Sequence, residues 1–332
     1  MTRRQRVVAA VALIVLAGVP LSAYLKLGSR VGARTVTLQW RDFPARYFVT
    51  DAGVDGVSTQ QFQTAIARAF STWEAVETAN VSTEFAGFTA ATPRVGDSIS
   101  VLGFLGRSDQ SRTLAATSFF IDTVDGRILE SDIYFNTTFG WSTSESGTSG
   151  RFDLESIAVH EIGHFFGLSH SALGETELLS GGRRVLAAES VMFPIAFSAG
   201  NTADRTLKPD DIAGLSDIYG TSAFSRQFGS ISGRVTKNGT GVIGAHVIAF
   251  NPRTTRLVGG FTLTSDGGFV IAGLDPGPYV LRVEPLDDGD IESFFDSSFG
   301  VDVDFNVKFH ERIVVVPRGG GTSNIQIRVT PK

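Results

Sequence analysis

Three of the five histidines in this chain fall in one short run, His160-Glu161-Ile162-Gly163-His164-Phe165-Phe166-Gly167-Leu168-Ser169-His170. Side chains four residues apart share one face of a helix. A helix through this run therefore aims His160 and His164 at one ion. Glu161 lies one step round, close enough to reach a water on that ion without being a ligand. Gly167 lets the chain turn, because glycine takes positive φ at little cost, and the turn brings His170 back as a third nitrogen. Three neutral imidazoles and a water suit a tetrahedral zinc with one open position, the catalytic arrangement rather than the closed structural one. Such an ion acidifies its water and polarises a carbonyl. Glu161 is then the candidate general base, and later the acid that protonates a leaving amine. A bare H-E-x-x-H arises by chance in helices that bind nothing, whereas the eleven-residue form is much rarer.

The H-E-x-x-H-x-x-G-x-x-H segment resembles the zinc site of the metzincin metalloproteases, and among them it is most similar to the matrixins. Met192, the only methionine besides Met1, sits in Glu189-Ser190-Val191-Met192-Phe193-Pro194. That run resembles the clan's Met-turn, in which the methionine packs beneath the metal. Pro194 stands where astacins and serralysins carry Tyr, which favours the matrixin branch. Residues 208–220 resemble the last helix of matrixin catalytic domains and residues 58–76 the first, so the likeness runs from about 34 to 220.

The resemblance implies an α+β catalytic domain: a twisted, mostly parallel sheet with an edge strand, plus three helices. It implies one catalytic zinc on His160, His164 and His170, Glu161 as base, and structural support from Met192 and Gly167. It places Leu114 and Ala115 on the edge strand that pairs with an extended polypeptide, which holds a substrate by main-chain hydrogen bonds. It makes residues 195–207 the wall and floor of the pocket for the side chain after the cut, with Pro194 and Phe197 as candidate contacts. Pro194-Ile195-Ala196-Phe197 departs from the family's usual Pro-x-Tyr there. Animal members hold a second, structural zinc with histidines of the β-region. This chain has no histidine before His160, and Tyr134 stands at one such position, so that zinc is not expected. Asp132 and Asn136 are candidate oxygen ligands for a calcium. The alternative is a turn held by their hydrogen bonds.

The elements that must position these residues are legible in the periodicity. Residues 34–49 are rich in β-formers, interrupted at Pro44. Residues 58–76 place Phe62, Ile66, Ala69, Phe70 and Trp73 at helical spacing behind a Ser58 or Thr59 cap. Strands are expected at 81–88, 98–105, 113–122 and 128–135, the last two separated by a turn at Asp125-Gly126. Asp153 caps the histidine helix, with Glu155 in its first turn. Residues 171–191 read as a loop, and Pro209, Asp210 and Asp211 open a helix that stops at Gly220. From residue 228 onward, short strands with Gly/Pro turns argue an all-β sandwich. This part resembles carboxypeptidase regulatory-like (transthyretin-like) domains. His246 and His310 read as core or surface histidines of that sandwich.

The chain has 332 residues, 42% hydrophobic and 19% charged, with a net charge of −5. That balance describes a globular protein of about two domains and offers nothing to nucleic acid. It has no cysteine, which excludes disulfides and any cysteine-based latency. Residues 1–23 read as an export signal: Arg3, Arg4 and Arg6, an apolar run over 7–19, and a small-residue site ending at Ala23. An uncleaved anchor is the other reading, and the sole route expected to a membrane. Residues 24–35 form a connector too short for a folded propeptide, 36–220 the protease-like domain, 221–227 a linker, and 228–332 the sandwich. The expected protein is an exported, monomeric zinc endopeptidase, its sandwich a candidate for contacts with a cell surface, protein or carbohydrate. Two rivals stand beside it. One is an inactive binding protein whose zinc is structural. The other is a hydrolase of non-peptide amides.

Overall fold

The structure, a computed structural model, describes residues 8–11, 26–31, 34–180, 182–296 and 299–332. The expected export signal lies outside these residues except for strand β1 (Val8–Val11). Among the described residues no helix is long and apolar enough to cross a membrane.

The chain continues through β2 (Gly28–Val31), β3 (Arg34–Thr37), β4 (Ala45–Thr50), α1 (Thr59–Glu74), β5 (Thr83–Thr89), β6 (Val101–Leu105), β7 (Ala115–Asp122) and β8 (Ile128–Asn136). The main sheet has the order β1-β7-β8-β6-β4-β5. β5, β4, β6 and β8 run parallel, while β7 is antiparallel to β8. A mostly parallel sheet with an edge strand is as the resemblance implies, and the structure adds that the edge strand is antiparallel. β1 extends that edge by pairing with Phe119–Asp122 and leaves the Ala115 end beyond its reach.

Ser58 caps α1: its hydroxyl accepts from Gln61 N, and Gln61 returns a bond to Ser58 N. This is a capping box that satisfies two otherwise orphaned donors. The apolar face of α1 (Phe62, Ile66, Phe70 and Trp73) is fully buried. It packs on α2 (Leu154–Phe165), which carries the first two histidines. Two indoles fasten α2. Trp73 Nε1 donates to Val159 O and Trp40 Nε1 to Phe165 O, each at 2.8 Å.

The stretch after His170 is not a loop but a hairpin, β11 (Gly174–Leu179) and β12 (Gly182–Ala188), following the short strands β9 (Trp141–Ser142) and β10 (Phe152–Asp153). No residue of either strand is fully buried, so the hairpin lacks the period-2 apolar signal by which a strand is read. Helix α3 (Pro209–Tyr219) follows as expected. The stretch expected as a linker contains a short helix, α4 (Ser222–Gln227).

The C-terminal part is a sandwich of two sheets with its own apolar core. One sheet has β13 (Gly229–Lys237) between β17 (Gly268–Leu274) and β21 (Gly321–Val329). The other has β15 (His246–Phe250) between β16 (Leu257–Phe261) and β18 (Gly277–Glu284). Ile231, Val235, Val247, Ile271, Leu281 and Ile327 interdigitate between them. The fold is thus α+β followed by an all-β sandwich.

Candidate metal centre and cleft

Asp153 Oδ2 accepts from Ser156 N at 2.9 Å and caps the start of α2. At its end Gly167 adopts φ 91°. A Cβ there would stand 2.3 Å from the Leu38 carbonyl oxygen, so both conformation and space demand glycine. Gly167→Ala is expected to destabilise the protein by about 1–3 kcal/mol, read by chemical denaturation. It should also loosen His170, which the turn delivers.

The turn places the ligand atoms of His160, His164 and His170 within 4.8 Å of one another. Every Nδ1 faces a main-chain carbonyl: His160 meets Val191 O at 2.7 Å, His164 meets Leu168 O at 2.8 Å, and His170 meets Ser293 O at 2.5 Å. A carbonyl only accepts, so each Nδ1 carries the hydrogen and each Nε2 presents a lone pair. His164 Nε2 and His170 Nε2 stand 3.2 Å apart, two acceptors facing each other with no proton between them. A cation resolves that conflict. Two ligands about 2.0–2.1 Å from a tetrahedral zinc lie roughly 3.3 Å apart, so this pair is at the spacing of two ligands, with His160 the third nitrogen within 4.8 Å. Burial lowers all three pKa values, helped at His164 and His170 by neighbouring imidazoles. His170 is pushed down to about 3. Neutral imidazole is the form that binds metal.

Glu161 is buried beside them. Its Oε2 accepts from Thr117 Oγ1 of β7 at 2.6 Å, which ties the carboxylate to the edge strand. Burial pushes the carboxyl up to about 7 against that hydrogen bond. Met192 lies under α2 between the first two histidines, where a Cβ on Gly163 would come within 2.2 Å of its Sδ. Asp211 holds the Met192 turn. Its carboxylate accepts from Ser190 Oγ (2.5 Å), Val191 N (3.0 Å), Met192 N (3.3 Å) and Lys208 N (2.8 Å).

A cleft of about 550 Å³ opens over the histidines. Leu114, Ala115 and Ala116 of the edge form one side, and Phe193, Pro194, Ile195 and Ala196 the other. Phe197 is not among the lining residues, whereas its neighbours Ile195 and Ala196 are. Asp204 lines it from within the stretch 195–207 expected as wall and floor, and further contributors escape a reading of the sequence: Phe139, Phe152, Ser156, Ile157, Arg183, and Asp290 and Ser293 of the sandwich.

Asn136, one of the two calcium candidates, is fully engaged elsewhere. Asn136 Oδ1 accepts from Arg107 N and Thr138 N, each at 3.1 Å, and its Nδ2 donates to main-chain oxygens of residues 107, 110 and 113. Asp132 Oδ1 accepts from Val101 N at 3.0 Å. The hydrogen-bonded turn describes Asn136 without an ion. Tyr134, at the structural-zinc position, bonds Gln110 and lies under Arg107. Among the described residues the histidine triad is the one cluster of three or more metal-ligating side chains.

The matrixin family profile (peptidase M10) matches residues 39–220, more than half of the chain. The chain belongs to the matrixin family. A carboxypeptidase regulatory-like domain profile matches residues 230–287. Metalloendoproteinase 1 of Glycine max is 32% identical over 171 residues, covering 48% of this chain and 46% of its own length. Metalloendoproteinase 2-MMP of Arabidopsis thaliana is 26% identical over 170 residues, 49% of this chain and 38% of its own. Stromelysin-1 of Mus musculus is 26% identical over 187 residues, 56% of this chain and 34% of its own. This matrixin thus spans less than half the length of these curated relatives.

Proposed function

We propose that this matrixin is an exported zinc-dependent endopeptidase that cuts extended polypeptides. The observation that carries the reading is the convergence of three Nε2 lone pairs beside the buried Glu161 carboxylate, in a cleft bordered by a sheet edge. His160, His164 and His170 would hold the zinc. When bound, the ion would acidify water and polarise the scissile carbonyl. Glu161 takes the proton of the attacking water and passes it to the leaving amine, and Thr117 keeps the carboxylate turned toward the cleft. Main-chain groups at 114–116 hold the substrate extended, a mode that tolerates many sequences. Val8–Val11 pairs in this manner farther along the same edge. The names of the relatives, metalloendoproteinases and a stromelysin, agree with this activity. Export rests on the basic and apolar character of residues 1–23.

The test is digestion of a broad peptide mixture by residues 24–332, with and without a zinc chelator, cut sites being read by mass spectrometry. Chelator-sensitive cleavage is expected. No cleavage by folded, zinc-loaded protein would overturn the activity and favour a binding role for the sandwich.

A further inference from the structure

The third histidine is oriented from the other domain. Ser293, whose carbonyl meets His170 Nδ1, belongs to a loop of the sandwich between β18 and the last strands. Three further contacts seat that loop. Phe294 and Phe295 are buried with Phe261, Leu263 and Leu286 of the sandwich, and Ala172, two residues beyond His170, closes the same apolar cluster. The Phe294 ring stands edge-on to the His170 imidazole, 6.5 Å between centroids. Asp288 clasps the β11–β12 hairpin: Thr176 N donates to its Oδ1 at 2.6 Å and Thr176 Oγ1 to its main-chain oxygen at 2.9 Å. At the domain boundary Gly259 N donates to Asp210 Oδ1 at 2.8 Å, both groups buried.

We propose that the sandwich is a working part of the metal centre, its 288–295 loop fixing the tautomer and direction of His170 through the Ser293 carbonyl. The proposal rests on the reading of His170 as a ligand. A partner on the far nitrogen of a metal-bound imidazole raises its basicity and holds its plane, and losing such partners typically weakens metal binding about 10–100-fold. The loop is a positioning element, and the sandwich is no mere appendage on a flexible tether.

The test uses the full chain carrying Phe294→Ala, Phe294→Leu or Asp288→Ala. Zinc affinity is measured by chelator competition, and the cobalt-substituted protein supplies an absorption spectrum of the ligand field. Phe294→Ala and Asp288→Ala are each expected to weaken zinc about 10–100-fold and to alter the cobalt spectrum, with Phe294→Leu recovering most of the loss. Asp288→Ala keeps the test open if Phe294→Ala fails to fold. Wild-type zinc affinity and an unchanged spectrum in folded variants would overturn the proposal, even if the zinc-free protein unfolds at lower temperature. If the unmodified chain binds no zinc, the ligand assignment itself fails.

A second, independent observation concerns the substrate. Two buried polar atoms that border the cleft have no hydrogen-bond partner, Ser156 Oγ and Asp204 Oδ1. Ser156 lies one helical turn before His160 on α2. Asp204 lies in the 3₁₀ turn Ala203–Arg205, which Arg205 fastens to Asp153 at the start of α2. Phe139, Phe152 and Ile157 supply apolar wall to the same cleft. The Lys208 ammonium acts on the Asp204 carboxyl without a hydrogen bond to it and does not offset its burial. A buried acceptor without a hydrogen-bond partner is costly, and a long aliphatic stem ending in a cation satisfies both wall and acceptor.

We propose that the cleft takes a lysine or arginine side chain of the substrate beside the scissile bond, with Asp204 as its counter-charge. This too rests on the endopeptidase reading. The test compares kcat/KM for peptide pairs that differ only in lysine against norleucine on either side of the cut. A preference for lysine of roughly tenfold or more, collapsing toward unity in Asp204→Asn, is expected. Equal or better cleavage of the norleucine peptide, or a preference that survives Asp204→Asn, would overturn it. Failure to cut either peptide would count against the endopeptidase reading instead.

Discussion

Glu161→Gln should keep the fold and the zinc and lose peptide cleavage by about 10²–10⁴-fold, the scale of a positioned general base. Glutamine has nearly the shape of glutamate, and its amide oxygen can still accept from Thr117, whose hydroxyl stands 2.6 Å from Oε2. What disappears is a group able to take a proton from water. The wild-type carboxyl is well placed for the task. Burial pushes it up to about 7, a cation on the three histidines would draw it down, and a base works best near the operating pH. Zinc content by metal analysis, beside kcat/KM on one fluorogenic peptide, checks the prediction. Retained turnover in a zinc-loaded variant would remove Glu161 from the mechanism. Loss of zinc as well as activity would make its role structural.

The sequence exposes this much because the chemistry is local. Two imidazoles one helical turn apart, a carboxylate between them and a glycine-borne turn all lie within the run from His160 to His170. The Asp153 and Ser58 caps are equally short-range, and the structure contains both. What stays hidden acts at long range or through the main chain. Asp210 and Asp211 read as ordinary first-turn acids of α3, a pattern fully accounted for by the helix dipole. Nothing local shows that their carboxylates turn away to Ser171, Gly259 and the Met192 turn. The His170 contact uses the carbonyl of Ser293, which any residue would supply, 123 positions away. The β11–β12 hairpin escapes because neither of its faces is buried deeply enough to impose alternation. Of the stretch 195–207 that reads as wall and floor by resemblance, Ile195, Ala196 and Asp204 line the cleft and Phe197 does not.

Asp211→Ala is expected to cost about 3–5 kcal/mol, the summed penalty of several donors left without their acceptor, and to weaken zinc about 10–100-fold. The carboxylate is 2% exposed and collects four donors, from Ser190, Val191, Met192 and Lys208. Alanine would leave the buried Val191 N–H, the half-buried Lys208 N–H and the Ser190 hydroxyl without this acceptor, each a desolvation cost of order 1–3 kcal/mol before relaxation, while Met192 N keeps Ser190 Oγ at 3.1 Å. The damage reaches the metal through one residue. Val191 N is held by Asp211, and Val191 O is the acceptor for His160 Nδ1 at 2.7 Å. A turn free to shift would release that histidine's tautomer and plane together with the Met192 packing beneath it. Asp211→Asn should fare little better, because its NH₂ would face N–H donors at one of the two oxygen positions. Ser190→Ala should be milder, since the main-chain donors keep their acceptor. Urea unfolding of the zinc-free proteins separates the stability cost from the ligand effect, which chelator competition reads on the loaded ones. An Asp211→Ala protein within about 1 kcal/mol of wild type, the cost of an ordinary substitution, and with undiminished zinc affinity would show that the Met192 turn holds its shape, and His160 its direction, without this carboxylate.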